Sequence, residues 1–371
     1  MRLRQRKLHQ LIALAFSSVS ATAVTATSNI QGGGSSLVAP EIGAIGNAAT
    51  EIGLFGTAEG SFTYYPVGSG AGQNAFLNNQ PTFVGSGVTG TVHFANSDAA
   101  LTTDQISSYQ SNLGVTNSPL IQIPYVVTPI TIPVINGPAV TSTTTPQTTP
   151  GQAHSVALND NDLCGIFSGK LTNWNQVLNP EIGSAYALSA PIKIIYRADG
   201  SGTTELLTRQ LATVSTTANT AGGVTFVDGL TFTSSFPSGV PSNFIAAYGD
   251  GGVRNSLSSL ASAGIAAIGY LSPSYTNKYL APSSTVVTPS MALQIPVASL
   301  VNTVDSRYYA PTYTNASITL DRYYPPAAKL VASRQWNRVQ REGLQPRHRQ
   351  CGSLLRYGDR SLRRSKNRFQ T

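Results

Sequence analysis

The chain has 371 residues, 41% of them apolar and only 11% charged. That length exceeds one small domain and suits two lobes of ordinary size, each with its own core. The net charge of +8 does not argue for nucleic-acid binding: 12 of the 24 Lys and Arg lie between Lys329 and Thr371, and four more precede Leu8, so the body from Leu8 to Ala328 carries 8 basic against 14 acidic residues.

Arg2, Arg4, Arg6 and Lys7 give a positive start, Leu11 to Phe16 is a short apolar run, and Val24-Thr25-Ala26 fits a small-x-small cleavage site. Residues 1–26 are therefore expected to be a signal peptide. The apolar run is too short for a permanent span, no Cys follows the cleavage site to carry a lipid, and no later stretch reaches about 18 uninterrupted apolar residues. A chain without a membrane span is expected after signal removal.

Strand-like and helix-like runs then alternate. Gly32-Gly33-Gly34-Ser35-Ser36-Leu37 is a small-residue turn before a helix. Residues 62–67, 91–94, 125–134 and 192–197 are rich in β-branched or aromatic residues and read as strands. Residues 71–78, 160–167, 204–211 and 256–262 read as helices. The order of strand, Gly/Ser turn and helix predicts α/β layers around a largely parallel sheet. Thr141 to Pro150 is a polar, low-complexity stretch and reads as an exposed loop outside the core. The triplet Asn315-Ala316-Ser317 is a glycosylation sequon, meaningful only in a eukaryotic secretory host. From Ser333 onward the β-branched runs vanish and Arg becomes frequent. This tail reads either as a solvated basic extension or, the favoured expectation, as a non-native ending after a change of reading frame near Ala332. Cys164 and Cys351 are the two cysteines; nothing in their spacing fixes a disulfide geometry.

The stretch Tyr196 to Leu207, YRADGSGTTELL, carries the most chemistry. A strand ends in Arg197, a Gly/Ser turn follows, and Thr203 and Thr204 open a helix. Helix N-termini offer unpaired backbone N–H groups and a positive dipole end, both suited to an oxyanion. Ser201 and Thr203 add hydroxyl donors, Arg197 can fork onto two oxygens, and Asp199 can hold Arg197 from behind. The Lys of a nucleotide-binding P-loop is absent. Val67-Gly68-Ser69-Gly70 and Phe94-Ala95-Asn96-Ser97-Asp98 are turns of the same kind. Asp98 is out of place in an anion site unless the ligand has a proton to give: phosphate does at neutral pH, sulfate does not. Otherwise Asp98 is a helix cap.

GGGSSLVAP, VGSGAG, FANSDAALT, IPYVVTPITIPV, LCGIFSGKLTNWNQV, YRADGSGTTE and AAIGYLSPSY resemble, in that order, the periplasmic phosphate-binding proteins of ABC-type phosphate transporters, with the start NIQGGG closest to the DING protein branch. The resemblance covers most of residues 29–330. It implies an α/β, two-lobed periplasmic-binding-protein (Venus flytrap) fold with crossover strands as hinge: lobe 1 from 27–127 and 267–332, lobe 2 from 128–266. It implies inorganic phosphate as ligand, held by Ser36, the Leu37 backbone, Ser69, Asp98, Arg197, Ser201, Gly202 and Thr203, with Asp199 supporting Arg197. It also implies delivery to an ABC phosphate permease, a periplasmic or secreted location, a monomer, and no cofactor or metal. The tail matches nothing in the family's ending.

An enzyme reading, such as a DING-like phosphatase or phosphotriesterase, gains little from the residues. The four His are His9, His93, His154 and His348, no HExxH spacing occurs, and the serines near the anion lack an obvious paired base. A surface adhesion protein on the same fold is the third reading.

Overall fold

Glycines close the first strand of the fold. The computed structural model describes residues 29–42, 61–302 and 305–316. Strand β1, Asn29–Gly34, is followed by a short helix α1, Ala39–Ile42, then strand β2, Ser61–Tyr65, helix α2, Ser69–Leu77, and strand β3, Phe94–Asn96. The order is β2-β1-β3, parallel throughout. Gly32 to Gly34, read from sequence as part of a turn before a helix, therefore end the central strand. Its glycines allow this, because an ideal Cβ on Gly32 would lie 2.3 Å from the Phe94 carbonyl oxygen.

Two helices follow, α3 at Thr103–Ser111 and α4 at Gly114–Asn117, and then β4 at Val134–Ile135. The strand expected over 125–134 is reduced to β4 and isolated bridges at Thr131 and Pro133. Pro124, Pro129 and Pro133 bring no N–H to a ladder, which explains the loss. The strand expected at 91–94 begins instead at Phe94.

Next come β5, Ala157–Leu158, and α5, Asp160–Phe167, opened by a capping box between Asn159 and Asp162. A small hairpin, β6 at Leu178–Asn179 and β7 at Ser184–Ala185, leads to β8, Lys193–Arg197, and α6, Gly202–Val214. Strand β9, Phe244–Ala247, feeds α7, Gly249–Ser262, which starts seven residues before the expected helix at 256. The chain continues through β10, Ala267–Ile268, β11, Ser299–Val301, and β12, Tyr308–Tyr309.

The second sheet has the order β4-β10-β8-β9, with only β4 antiparallel. It is buried on both faces. One face packs Trp174, Phe167, Phe232 and Tyr270, and the other packs Ile195, Val253, Leu257 and Leu271. Such two-sided burial suits the apolar run Ile194 to Tyr196. Strands β10 and β11, expected from sequence to belong to the second part of lobe 1, hydrogen-bond instead to strands of the 128–266 segment: β10 to β4 and β8, β11 to β5. Ala267 and Ile268 are fully buried there, so the apolar core fixes that side of the chain.

The Thr141–Pro150 stretch is also not the exposed loop expected from its composition. Thr145, Thr148 and Thr149 are buried. The Thr145 hydroxyl donates to the Ser155 carbonyl at 2.8 Å, and Thr149 accepts from the Val297 N–H at 3.2 Å. Threonine hydroxyls here replace a ladder, satisfying backbone groups that a loop would leave to water. Cys164 is buried with its thiol free; Cys351 lies outside the described residues, as do the expected signal peptide and basic tail. Among the described residues no helix is long and apolar enough to cross a membrane.

Candidate functional site

Five strand-to-helix or strand-to-loop turns meet at one place. The first follows β1, where Gly34 adopts φ +136°, a conformation open to glycine and strained for other residues. An ideal Cβ there would also lie 2.0 Å from the Asn96 carbonyl oxygen. This close approach carries Ser35 and Ser36 inward, and both are buried. Tyr64 locks the turn by donating its hydroxyl hydrogen to the Ser35 carbonyl at 2.6 Å. The Leu37 N–H donates to Ser35 Oγ at 3.2 Å.

The second turn, after β2, places Ser69 at the start of α2, where Ser69 Oγ accepts from the Asp98 N–H at 3.3 Å. The third, after β3, presents Asp98. One carboxylate oxygen accepts a short hydrogen bond from Ser35 Oγ, and the other accepts from Thr203 Oγ1 at 3.0 Å. Burial raises the Asp98 carboxyl above the usual carboxylate range, the Asp250 charge adds to this, and the Ser35 and Thr203 bonds and the Arg197 charge oppose it.

The fourth turn, after β8, carries Arg197, Asp199, Ser201, Gly202 and Thr203. Ser201 caps α6, accepting from the Thr204 N–H at 3.2 Å. Arg197 is 2% exposed. Its Nε donates to Asp199 Oδ1 at 2.7 Å, its Nη2 donates to Asp199 Oδ2, and its Nη1 donates to Asp250 Oδ2 at 2.6 Å. Burial alone would make the guanidinium easier to deprotonate, but the Asp199 bond and the charges of Asp250 and Asp199 outweigh it and hold the cation firmly. Asp199, conversely, is held below its usual range: burial pushes it up, and Arg197 more than reverses that. The Arg197 N–H donates to the Tyr270 hydroxyl at 2.9 Å, which is itself paired with Thr204 Oγ1 at 2.8 Å. The strand end is thereby fixed from behind.

The fifth turn, after β9, was not singled out in the sequence. Asp250 sits in the first turn of α7, fully buried, and accepts from Ser36 Oγ at 2.6 Å as well as from Arg197. The signal was present as Tyr248-Gly249-Asp250-Gly251-Gly252, another Gly-rich segment after a strand, hidden because the helix was placed to start at 256. Ser35, a partner of Asp98, was likewise overlooked beside Ser36. Of the serines that lacked a paired base in the sequence reading, Ser36 contacts the Asp250 carboxylate, whereas Ser69 and Ser201 accept from backbone N–H groups.

The arrangement brings Ser36, Leu37, Ser69, Asp98, Arg197, Asp199, Ser201, Gly202 and Thr203 together. Segments far apart in sequence are joined directly: Ser36 to Asp250, Asp98 to Thr203, and the Gly70 N–H to the Gly200 carbonyl at 2.8 Å. Gly202 is at the tightest point. An ideal Cβ on it would lie 2.7 Å from the Ala99 nitrogen, from Asp98 Cβ and from Ser69 Oγ. Gly202→Ala is expected to wedge the turns apart and weaken binding of the site's anion by about tenfold or more, since overpacking of this kind costs about 1–3 kcal/mol. Calorimetric titration of the variant checks this, and an unchanged affinity would show that the turns separate freely. Among the described residues no group of three or more His, Cys, Asp or Glu is placed to hold a metal ion.

A mixed α/β fold with Gly/Ser-rich turns from distant segments meeting in one site defines a two-lobed binding protein of the periplasmic type. The chain belongs to the PBP superfamily, whose domain model matches residues 19–327, and falls with its DING proteins. It is 35% identical over 276 residues to a Pseudomonas aeruginosa protein named alkaline phosphatase L, covering 73% of this chain and 61% of that one. A solved high-affinity periplasmic phosphate-binding protein of the DING type, bound with phosphate at pH 8.5, matches with 31% identity and a TM-score of 0.57, covering 81% of this chain and 72% of that one. A phosphate-binding protein from Stenotrophomonas maltophilia matches with 29% identity and a TM-score of 0.55, covering 74% and 64%. The chain spans under two thirds of the length of the curated relatives it matches first.

Proposed function

We propose that this protein is exported, binds inorganic phosphate in a cleft between its lobes and delivers it to an ABC-type permease. The observation that carries the reading is the pairing, in one buried site, of a forked cation with a carboxylate flanked by hydroxyls: Arg197 on one side, Asp98 with Ser35 and Thr203 on the other. The Ser69 and Ser201 hydroxyls, the Gly202 amide and two remaining Arg197 N–H groups supply donors, the Ser36 and Thr203 hydroxyls and the Leu37 amide turn to the anion from Asp250, Asp98 and Ser35 when it binds, and Asp98 accepts from the anion's own proton. The lobes in this reading are 29–127 and, following the strand pairing, 128–301. In this reading the hinge is the crossover of the chain near Thr128. The solved relatives named for phosphate binding support the ligand.

A second reading, phosphomonoester hydrolysis, is favoured by one observation, the Ser35–Asp98 contact, together with the name of the Pseudomonas relative. Calorimetric titration with phosphate and with sulfate, and incubation with p-nitrophenyl phosphate, separate the two. Tight phosphate binding with hydrolysis at the buffer rate is the expected result. Turnover abolished by Ser35→Ala would establish the enzyme instead.

A further inference from the structure

The segment from Ser35 to Ile42 is held at two points. Ser36 Oγ donates to Asp250 Oδ2 at 2.6 Å. Further along, Glu41 of α1 accepts from Ser274 Oγ at 2.7 Å. Ser274 is buried, sits in the tight helical turn Pro273–Tyr275, and lies 233 residues from Glu41 in sequence. In the proposed reading Glu41 belongs to the lobe 29–127 and Ser274 to the lobe 128–301, so their bond joins the two lobes. Neither residue is among those assigned to phosphate.

Both points lead back to one helix. Asp250 is in the first turn of α7. Arg254, one turn along α7, donates through Nη1 to the Tyr275 carbonyl at 2.6 Å and through Nη2 to the Leu293 carbonyl at 2.8 Å. The turn carrying Ser274 is thereby pinned to α7. Ser284 Oγ adds a bond to the Ser274 carbonyl at 2.7 Å, and Thr276 Oγ1 one to the Pro273 carbonyl at 2.8 Å. On the other side, Leu37, Val38 and Ala39 between Ser36 and Glu41 are all buried. Two stiff pieces joined at two points resist rotation as well as separation, whereas one point alone would leave a pivot.

We propose that Glu41 and Ser274 form a closure latch, which retains phosphate by slowing the reopening of the lobes without touching the anion. The inference rests on the phosphate-binding reading. In that reading the Ser36 hydroxyl turns from Asp250 to the anion, which releases one of the two points. The Glu41–Ser274 bond is left intact and becomes the side-chain tie between α1 and the turn pinned to α7. A hydroxyl donating to a carboxylate makes a stronger bond than one donating to a neutral acceptor, which suits a latch. Attraction of the anion does not explain an acid here. Burial first raises the hydroxyls of Tyr125 and Tyr275; Asp98 and then Glu41 add to the rise of Tyr125, and Asp250 and then Glu41 to that of Tyr275. The Glu41 charge is thus felt beside both acids of the site, where it can only repel an anion. Its benefit is geometric, and Glu41 is a positioning residue for the turn that carries Ser36 and Leu37.

The test measures release of radiolabelled inorganic phosphate into excess unlabelled phosphate, together with calorimetric affinity, for the full protein and its variants. Glu41→Ala and Ser274→Ala are each expected to speed release by about tenfold and to weaken affinity by the same factor, leaving the association rate unchanged. The double alanine variant is expected to match either single one, because all three lack the same bond. Glu41→Gln keeps an oxygen that accepts from Ser274 and is expected to stay within about threefold of the wild type. Release unchanged in both single alanine variants overturns the latch, even if their unfolding midpoints fall, since the bond would then be structural only. Additive effects in the double variant overturn it too. So does slower release in Glu41→Gln and Glu41→Ala alike, which would make Glu41 a repelling charge and nothing more. Ser274→Ala removes a single oxygen and decides the matter if the Glu41 variants fail to fold. A wild type that binds no phosphate strikes the phosphate reading itself and the latch with it, whereas tight binding with unaltered release in the variants strikes the latch alone.

Discussion

Arg197→Lys is expected to weaken phosphate binding by about 2 kcal/mol or more, roughly thirtyfold. The charge is kept, so a simple electrostatic role would leave affinity nearly intact. Geometry is what is lost. The guanidinium has five N–H donors in a fixed plane, and the structure uses three of them on Asp199 and Asp250. Two remain on the terminal nitrogens, in one plane and already oriented, to fork onto two phosphate oxygens. An ammonium has three donors around a single atom and cannot span Asp199, Asp250 and an anion at once. Either it abandons a buried carboxylate, which is costly, or it abandons the ligand. Thermal unfolding of the variant separates these outcomes: a lowered midpoint without phosphate reports lost carboxylate pairing, and a reduced phosphate-induced rise reports lost ligand contacts. Unchanged affinity would make Arg197 a structural residue only.

The site was more legible in the sequence than the fold that carries it. Strand-to-helix turns rich in Gly and Ser announce themselves locally, because the glycines are needed where backbone must approach backbone. Gly34 and Gly202 show this, each closed in by atoms of another turn. The strand around the apolar run Ile194 to Tyr196 was equally plain, since a strand buried on both faces leaves no alternation to misread. What escaped was decided at a distance. The NIQGGG strand has almost no side chains to signal β structure and exists because β2 and β3 flank it. Thr145, Thr148 and Thr149 look like solvent residues until Ser155 and Val297 supply partners. Asp250 becomes visible only when α7 is seen to begin at Gly249, because a carboxylate in the first turn of a helix is ordinarily explained by the helix dipole alone.

The same carboxylate chemistry sets the expectation for Asp98→Asn, which should narrow the preference for phosphate over sulfate by about tenfold or more. Hydroxyls, amides and a guanidinium hold the two anions alike, so discrimination must come from the acceptor. An ionised Asp98 takes a hydrogen bond from protonated phosphate and meets sulfate with oxygen against oxygen, and like charges in a dry site cost several kcal/mol. An amide can turn its NH2 toward sulfate and removes the charge. The variant also has a signature in folding. Because burial raises the Asp98 carboxyl in the folded protein, its contribution to stability is fully present below the ordinary carboxylate range and is lost as pH rises through the raised value. Asp98→Asn removes that titration, so its unfolding midpoint should lose the wild type's relative gain at acid pH. Titrating both proteins with both anions at neutral pH gives the ratio, and thermal unfolding across the acid range gives the linkage. If the phosphate-to-sulfate ratio is the same in both proteins while the acid-side gain disappears, Asp98 is a buried structural acid that holds Ser35 and Thr203 together, and anion selection lies elsewhere in the site.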